Sequence, residues 1–231
     1  IGTDISLAEP IVRDSGVSGE SDDPTLSRQA CVRFQLESPR IVVIDHLLSA
    51  AECQQLIELA QHKKGGLSRS TVVAEADGAE QVDTRRTSHN SWFERGEQAL
   101  VQRIESRIAS LLDYPVERGE GLQILRYERG GEYRPHFDFF DPSLSGSQRH
   151  LARGGQRVAT VILYLSVVES GGGTYFPELG LRVQPQPGTA LFFSNLQADG
   201  TPDRRTLHAG LPVISGTKYI ATKWLRESAY E

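Results

Sequence analysis

Aromatic, basic and metal-binding side chains alternate with a strand-like period in the stretch Tyr133-Arg134-Pro135-His136-Phe137-Asp138. On a β-strand, residues two apart point to the same face, so His136 and Asp138 can both project into the interior while Phe137 packs outward. An imidazole and a carboxylate on one face form a chelating pair. The stretch therefore predicts a strand from Tyr133 to Asp138 that carries two metal ligands.

This strand belongs to a region of many short strands that begins at Leu122. Turn residues such as Gly130-Gly131 and Gly171-Gly172-Gly173 separate the segments. Many short strands at this spacing favour a jelly roll or barrel, so the predicted fold class is mainly β with flanking helices. The predicted strands are Leu122–Tyr127, Tyr133–Asp138, Val158–Val168, Thr174–Phe176, Leu181–Gln184, Ala190–Ser194 and Lys218–Leu225.

The first half of the chain supplies the predicted helices. A β-branched run at residues 40–45 leads into Ser49-Ala50-Ala51-Glu52, a capping box that predicts a helix as far as about His62. Apolar residues at three- and four-residue spacing predict a second helix over Glu97–Leu112. The polar segment Gly65–Ser91 is either a mobile segment over an active site or an ordinary surface loop.

The composition indicates one catalytic domain in a reducing compartment. We expect this domain at residues 39–231, after a loosely ordered arm at residues 1–38. The net charge of −5 argues against nucleic acid or anionic lipid as a partner, and no apolar run is long enough to span a membrane. Cys31 and Cys53 form no disulfide framework or zinc motif. We therefore expect a cytoplasmic location, and the oligomeric state stays open.

A third metal ligand must come from another strand, and the chain has six histidines. Only His208 lies on an apolar-flanked segment of the β-rich half, so it is the best third ligand. Two imidazoles and a carboxylate leave three positions of a six-coordinate Fe(II) open, as in non-haem oxygenases. A zinc hydrolase could use the same ligands with an activated water. The other histidines lie at helix ends or in polar segments: His46, His62, His89 and His150.

Lys218 is a further candidate site residue, at the start of the C-terminal strand. In this strand Lys218, Ile220, Thr222 and Trp224 share one face. A lysine on an inward face is costly to bury unless an anion pairs with it, which favours an anionic co-substrate beside the metal. As a lone residue it could also be a surface lysine.

Together these motifs resemble the Fe(II)- and 2-oxoglutarate-dependent dioxygenases of the prolyl 4-hydroxylase family, in its collagen, plant and bacterial branch. The resemblance covers about residues 39–227. It implies a double-stranded β-helix, or jelly-roll, core with His136, Asp138 and His208 as ligands of Fe(II). The motifs that carry it are Leu122–Tyr127, Tyr133–Phe140, Gly155–Thr160 with Tyr164-Leu165, Gly171–Pro177, Leu207–Val213 and Lys218–Trp224.

The resemblance also implies a pocket for the co-substrate. Lys218 would pair with the distal carboxylate of 2-oxoglutarate, and Thr174 would help to bind that carboxylate. Tyr127 would line the pocket, and Tyr164 is a weaker candidate for the same role.

A second implied set of residues contacts a peptide substrate: Tyr133, Arg157 and Trp224. Core packing of the two aromatic side chains and a surface ion pair of Arg157 are the alternatives. Two positions depart from the family pattern. Gly173 stands where an acidic residue is common, and Ser166 stands where Asn or Thr is frequent, so the pocket edge can differ.

The activity implied by the resemblance is hydroxylation of prolyl residues in a peptide or protein to 4-hydroxyproline. O2 and 2-oxoglutarate would be consumed, succinate and CO2 released, and ascorbate would serve as reductant. Because the chemistry takes place at the metal, no side chain is expected to act as a general acid or base. One alternative is a hydroxylase of a free amino acid or small natural product. Another is a non-catalytic β-sandwich module that holds a structural metal.

Overall fold

Two antiparallel sheets face each other in this protein, and helices cover the outer face of the larger sheet. The computed structural model describes residues 30–74 and 76–231. Residues 1–29 of the arm predicted over residues 1–38 lie outside the described residues. In chain order, the strands are β1 (Cys31–Leu36), β2 (Ile41–Asp45), β3 (Ser68–Arg69), β4 (Thr71–Val73), β5 (Glu80–Val82), β6 (His89–Phe93), β7 (Leu122–Tyr127), β8 (Tyr133–His136), β9 (Arg157–Tyr164), β10 (Ser170–Gly171), β11 (Thr174–Phe176), β12 (Leu181–Val183), β13 (Ala190–Ser194), β14 (His208–Gly210), β15 (Val213–Ser215) and β16 (Lys218–Arg226).

The larger sheet has the strand order β1-β2-β13-β9-β16-β7-β6-β3, and the smaller one has the order β12-β11-β14-β8. Strands β4 and β5 pair as a separate hairpin, and β10 pairs with β15. The two sheets enclose one core, and the helices and the larger sheet enclose another. This arrangement confirms the prediction of a mainly β fold with flanking helices.

Both faces of the central strands are buried, and β2 shows the consequence. Val42 and Ile44 pack toward the helices, whereas Ile41 and Val43 pack toward the smaller sheet. A strand buried on both faces needs an unbroken apolar run rather than an alternating one. The β-branched run of the sequence has this composition.

The helices are α1 (Ala50–His62), α2 (Ala99–Leu112) and the short α3 (Ser145–Leu151). The predicted capping box is present, because the Ser49 hydroxyl accepts a 3.0 Å hydrogen bond from the Glu52 amide and the Glu52 carboxylate accepts one of 2.8 Å from the Ser49 amide. Arg107 of α2 also binds the Glu52 carboxylate, which ties the two long helices together. No helix in residues 30–74 or 76–231 has the length and hydropathy needed to cross a membrane.

Several predicted boundaries are wrong. Strand β1 lies within the predicted arm, and α3 was not predicted. The segment Gly65–Ser91 contains β3, the β4–β5 hairpin and the start of β6, so it is not an unstructured loop. Strand β9 ends at Tyr164 rather than Val168, and β8 ends at His136 rather than Asp138.

Candidate metal centre and the groove above it

Two histidines and an aspartate meet where β14 pairs with the edge strand β8. His136 and His208 are register partners on these strands, and Asp138 follows the end of β8 by two residues. The Asp138 carboxylate oxygens lie 3.6 Å from Nε2 of His136 and 3.7 Å from Nε2 of His208. The ligand atoms of the three residues lie within 4.8 Å of one another. The structure thus brings together the three predicted metal ligands.

Backbone carbonyl groups orient both imidazoles. Nδ1 of His136 lies 2.8 Å from the Arg134 oxygen, and Nδ1 of His208 lies 3.0 Å from the Thr206 oxygen. Because a carbonyl oxygen only accepts, Nδ1 carries the proton and Nε2 presents its lone pair to the centre. Burial, with repulsion from His208, lowers the pKa of His136 to about 3, so this ring is neutral at physiological pH.

Aromatic side chains fix the ring planes. The Tyr133 ring stacks on His136 with 3.5 Å between centroids, and Phe193 meets His208 edge-on at 4.7 Å. A ring held in this way cannot swing out of the centre without losing its packing contacts. The histidines are therefore positioned before any metal binds.

Asp138 is oriented by a hydrogen bond rather than by a strand. The Thr160 hydroxyl donates to Asp138 Oδ2 at 2.8 Å, and the Asn195 amide donates to the Thr160 oxygen at 3.1 Å. Burial raises the pKa of the Asp138 carboxyl, but interactions with His208, His136 and Arg157 outweigh this effect and hold it below its ordinary value. Two imidazoles and a carboxylate are a donor set that fits Fe(II) and leaves positions open.

The expectation that Phe137 packs outward is wrong. Because β8 ends at His136, the alternation of faces does not continue, and the chain bends at Asp138 and Phe139. The Phe137 ring lines a groove beside the metal centre and stacks on Phe139 with 4.6 Å between centroids. The strand-based argument therefore found the correct ligand pair but placed the intervening residue on the wrong side.

Lys218 lies in a small pocket next to the triad, which His208 and Asp138 also line. Its side chain is buried, and its Nζ lies 5.2 Å from the centroid of the Tyr127 ring. Among the described residues no carboxylate forms an ion pair with Lys218. Burial lowers the pKa of its ammonium group to about 8. A buried cation without an acidic partner is a receptor for an anion.

The other residues predicted for the co-substrate lie around Lys218. Tyr127 and Thr174 line this pocket, whereas Tyr164 reaches it only through a 2.8 Å hydrogen bond from its hydroxyl to Thr174. As predicted, Lys218, Ile220, Thr222 and Trp224 all face the pocket. The binding roles of these residues stay predictions.

The two positions that depart from the family pattern, Gly173 and Ser166, lie outside the lining of this pocket. A side chain at Gly173 would meet Arg182 at 3.2 Å. The Ser166 hydroxyl donates to the Thr217 oxygen and accepts from the Tyr219 amide, so it braces the start of β16. Neither residue lines the pocket itself.

A groove with a volume of about 400 Å³ leads from the triad to the surface. Its walls include the β4–β5 hairpin on one side and the segment from Phe137 to α3 on the other. The three residues predicted to contact a peptide, Tyr133, Arg157 and Trp224, all line it. Nε1 of Trp224 is buried and has no hydrogen-bond partner among the described residues, so it is a donor available to a ligand.

Arg157 forms a buried ion pair rather than a surface one. Its guanidinium donates to both oxygens of Glu120 at 2.6 and 2.9 Å, and the same carboxylate accepts from Arg226 at 2.9 Å. The Arg157 guanidinium also lies 3.9 Å from the centroid of the Trp224 ring. One carboxylate held between two cations leaves a net positive charge at the groove.

Several side chains around the groove were not predicted. Arg86 donates to the Thr71 oxygen at 3.0 Å and to Gln123 Oε1 at 2.8 Å, and it lies over the Tyr133 ring. Thr160 bonds to the metal ligand Asp138, and Glu120 bonds to the groove residue Arg157. The adjacent arginines Arg85 and Arg86 are visible in the sequence, but the partners of the other two are too distant along the chain to be identified from it.

Comparison with known proteins agrees with this geometry. Residues 122–226 match the 2OG-Fe(II) oxygenase superfamily. Prolyl 4-hydroxylase 2 of Arabidopsis thaliana is 39% identical over 84% of this chain and 69% of its own length. Probable prolyl 4-hydroxylase 10 of the same plant is 40% identical over 93% of this chain and 77% of its own length. The crystal structure of a viral collagen prolyl hydroxylase from Paramecium Bursaria Chlorella virus-1, in complex with 2OG, superposes with a TM-score of 0.63 at 32% identity, covering 80% of this chain and 95% of that one.

Proposed function

The chain belongs to the prolyl 4-hydroxylase family of 2OG-Fe(II) oxygenases, and from this premise we propose that it hydroxylates prolyl residues of a peptide or protein to 4-hydroxyproline. Fe(II), 2-oxoglutarate and O2 take part, ascorbate serves as reductant, and succinate and CO2 are released. The observation that carries the proposal is a complete His-Asp-His triad beside a buried lysine that pairs with no carboxylate in the part of the chain that the structure describes.

The residues that would bind both cofactors are already in place. His136, Asp138 and His208 would hold the iron, and Lys218 would pair with the distal carboxylate of 2-oxoglutarate, with Thr174 and Tyr127 beside it. When bound, iron and 2-oxoglutarate supply the activation of O2 that inserts an oxygen atom into a C–H bond.

The remaining residues position the substrate and exclude water. The groove leads from the surface to the triad and is bounded by Tyr133, Arg157 and Trp224 near the triad. Arg157 and the free Nε1 of Trp224 are donors for backbone carbonyl groups of a peptide. Proline has no backbone N–H, so carbonyl groups are the main hydrogen-bonding groups that a prolyl segment offers.

Product analysis with labelled oxygen tests the proposal. Fe(II)-loaded protein is incubated with 2-oxoglutarate, ascorbate, ¹⁸O2 and proline-containing peptides, and both succinate and peptide mass are measured. We expect one labelled oxygen on proline, at C4, and no product with the Asp138→Ala variant. Wild-type protein that binds 2-oxoglutarate but oxidises only a free amino acid or a small natural product would contradict the peptide substrate.

A further inference from the structure

An exposed aromatic side chain lies in the groove outside the metal centre and the co-substrate pocket. Trp92 lies on β6 and lines the groove, yet its side chain is 40% exposed. Strand β3 pairs with β6 only at His89 and Asn90, so at Trp92 no described strand pairs with the edge of β6 that faces away from β7. An exposed indole that borders a groove can stack on a ligand bound there.

Trp92 continues the aromatic wall that begins at the metal centre. Trp224 lines both the groove and the pocket beside the triad, and the Trp92 ring lies 5.7 Å from it, tilted by 34°. Strand β7 lies between β16, which carries Trp224, and β6, which carries Trp92, and its Gln123 is the register partner of Trp92. Arg157 covers part of the Trp224 ring, whereas the Trp92 side chain is partly exposed where it borders the groove.

We propose that Trp92 is a specificity-determining residue whose indole binds the ring of a second proline in the substrate. This inference rests on the proposed function, because the groove must first hold a prolyl peptide. Trp224 lines the pocket beside the triad, so the proline that reacts would lie next to this ring. A polyproline II segment rises by about 3.1 Å per residue, so the 5.7 Å from the Trp224 ring to the Trp92 ring corresponds to about two residues. The second proline therefore lies about two positions from the proline that reacts.

The charge of the groove favours proline over a cationic side chain as the occupant of Trp92. An indole face also attracts Lys and Arg. The groove, however, has more basic than acidic lining, which opposes a cationic residue at this place. Proline adds a rigid apolar ring without charge, and it keeps the peptide in an extended conformation that loses little entropy on binding. The charged residues that line the groove are Arg85, Arg86, Arg134, Arg157, Arg204, Glu80, Asp138 and Asp141.

A peptide series with matched variants tests the inference. The parent peptide has one proline in an alanine-rich background, and each relative carries a second proline at one neighbouring position. Hydroxylation of the first proline is located by tandem mass spectrometry, and kcat/KM is compared for wild type, Trp92→Ala and Trp92→Phe. Phe34→Ala is the control, because Phe34 is an aromatic residue of similar exposure, 37%, on the distant edge strand β1.

For wild type we expect a second proline about two positions away to raise kcat/KM by roughly 2–10-fold, the range typical of aromatic stacking. Trp92→Ala should lose this preference, Trp92→Phe should keep part of it, and Phe34→Ala should keep all of it. The inference is wrong if Trp92→Ala lowers kcat/KM equally for one-proline and two-proline peptides, or leaves the preference intact.

Fluorescence gives a readout that does not depend on turnover. The chain has two tryptophans, so the difference between wild type and Trp92→Phe isolates the emission of Trp92. With Zn(II) and 2-oxoglutarate bound, a two-proline peptide should shift this emission more than a one-proline peptide does. If wild type hydroxylates no peptide, the proposed function fails. Equal shifts for both peptides would overturn the role of Trp92 by itself.

Discussion

The Thr160 hydroxyl donates a 2.8 Å hydrogen bond to the Oδ2 atom of the metal ligand Asp138, and both side chains are buried. Thr160 is held in turn by Asn195, whose amide donates to its oxygen. Because Asp138 lies beyond the end of β8, no strand pairing fixes its side chain. The orientation of the carboxylate therefore depends on a residue of the opposite sheet.

Replacing Thr160 by Val should weaken metal binding with little change of shape. Outer partners of metal ligands typically contribute a factor of about 10–100 in affinity, and we expect a loss in that range. Anaerobic titration with Fe(II) measures it. Thr189→Val is the matched control, since Thr189 is buried and bonds to Asp45, remote from the triad. Equal Fe(II) affinity in wild type and Thr160→Val would contradict the role of Thr160.

The affinity for 2-oxoglutarate should fall as the pH rises above about 8. Burial lowers the pKa of Lys218 to about 8, so at higher pH the side chain is a neutral amine, which must take up a proton before it can pair with a carboxylate. Each further pH unit should cost about tenfold in affinity. Calorimetric titration of the Mn(II)-loaded, anaerobic protein with 2-oxoglutarate at several pH values between 7 and 10 tests this. Affinity that stays constant across the range would contradict it.

Lys218→Met should stabilise the metal-free protein while it removes 2-oxoglutarate binding. An unfolded lysine has a pKa of about 10.4, so between that value and about 8 the unfolded state binds more protons, and wild type loses stability as the pH falls. Below pH 8 the wild type bears the full cost of burying a charged ammonium group, and methionine carries no charge to bury. Thermal unfolding at pH 7 should show a higher Tm for the variant. Lys64→Met, at an exposed lysine, should show no such rise.

A second buried lysine on β16 has the opposite character, because it is paired. Lys223 binds Glu105 of α2 and the Glu120 carbonyl, and Glu105 also accepts from the Gly96 amide at 2.9 Å. Lys223→Met leaves the Glu105 carboxylate buried without a cation and should lower the free energy of unfolding by about 3–5 kcal/mol. Adding Glu105→Leu should restore most of this loss. Denaturant unfolding of the two single variants and the double variant measures the coupling, which additive effects would disprove.

The sequence predicts those parts of the protein that depend on local pattern. The capping box at Ser49 and the shared face of Lys218 and Trp224 follow from neighbours a few residues apart. The triad was accessible because few histidines lie in the β-rich half. The position of Phe137 in the groove could not be predicted, because it depends on a strand that ends two residues early.

Other features depend on contacts that no local pattern records. Strand β1 is exposed along most of its length, so it lacks the burial pattern that reveals a strand, and its pairing with β2 holds it in place. Glu120 meets Arg157 and Arg226 across 37 and 106 residues of chain. Of the two lysines on β16, the sequence predicted a buried role only for Lys218. The burial of Lys223 was not predicted, because its partner Glu105 lies in a distant helix.

Hydrogen bonds join the tip of the β4–β5 hairpin to α3 on the other side of the groove. The Ser145 hydroxyl donates to the Ala76 oxygen at 2.7 Å, and Nε2 of His150 lies 2.9 Å from the Gly78 oxygen. Gly78 has a φ of +69°, and an added Cβ would lie 2.2 Å from the Gly146 oxygen. These contacts join the hairpin to α3, so that the groove is bridged on its solvent side.

Gly78→Ala should therefore separate the hairpin tip from α3 and weaken peptide binding. Gly66→Ala is a matched control, because Gly66 has a φ of +59° but open space around it. Both variants should lose about 1 kcal/mol of stability through backbone strain. Only Gly78→Ala should also raise KM for a peptide, by roughly tenfold if about 1.4 kcal/mol of hairpin contact is lost. Affinity for 2-oxoglutarate should be unchanged, since the hairpin does not line its pocket. Equal KM values for the two variants would show that the fastened tip has no part in holding the substrate.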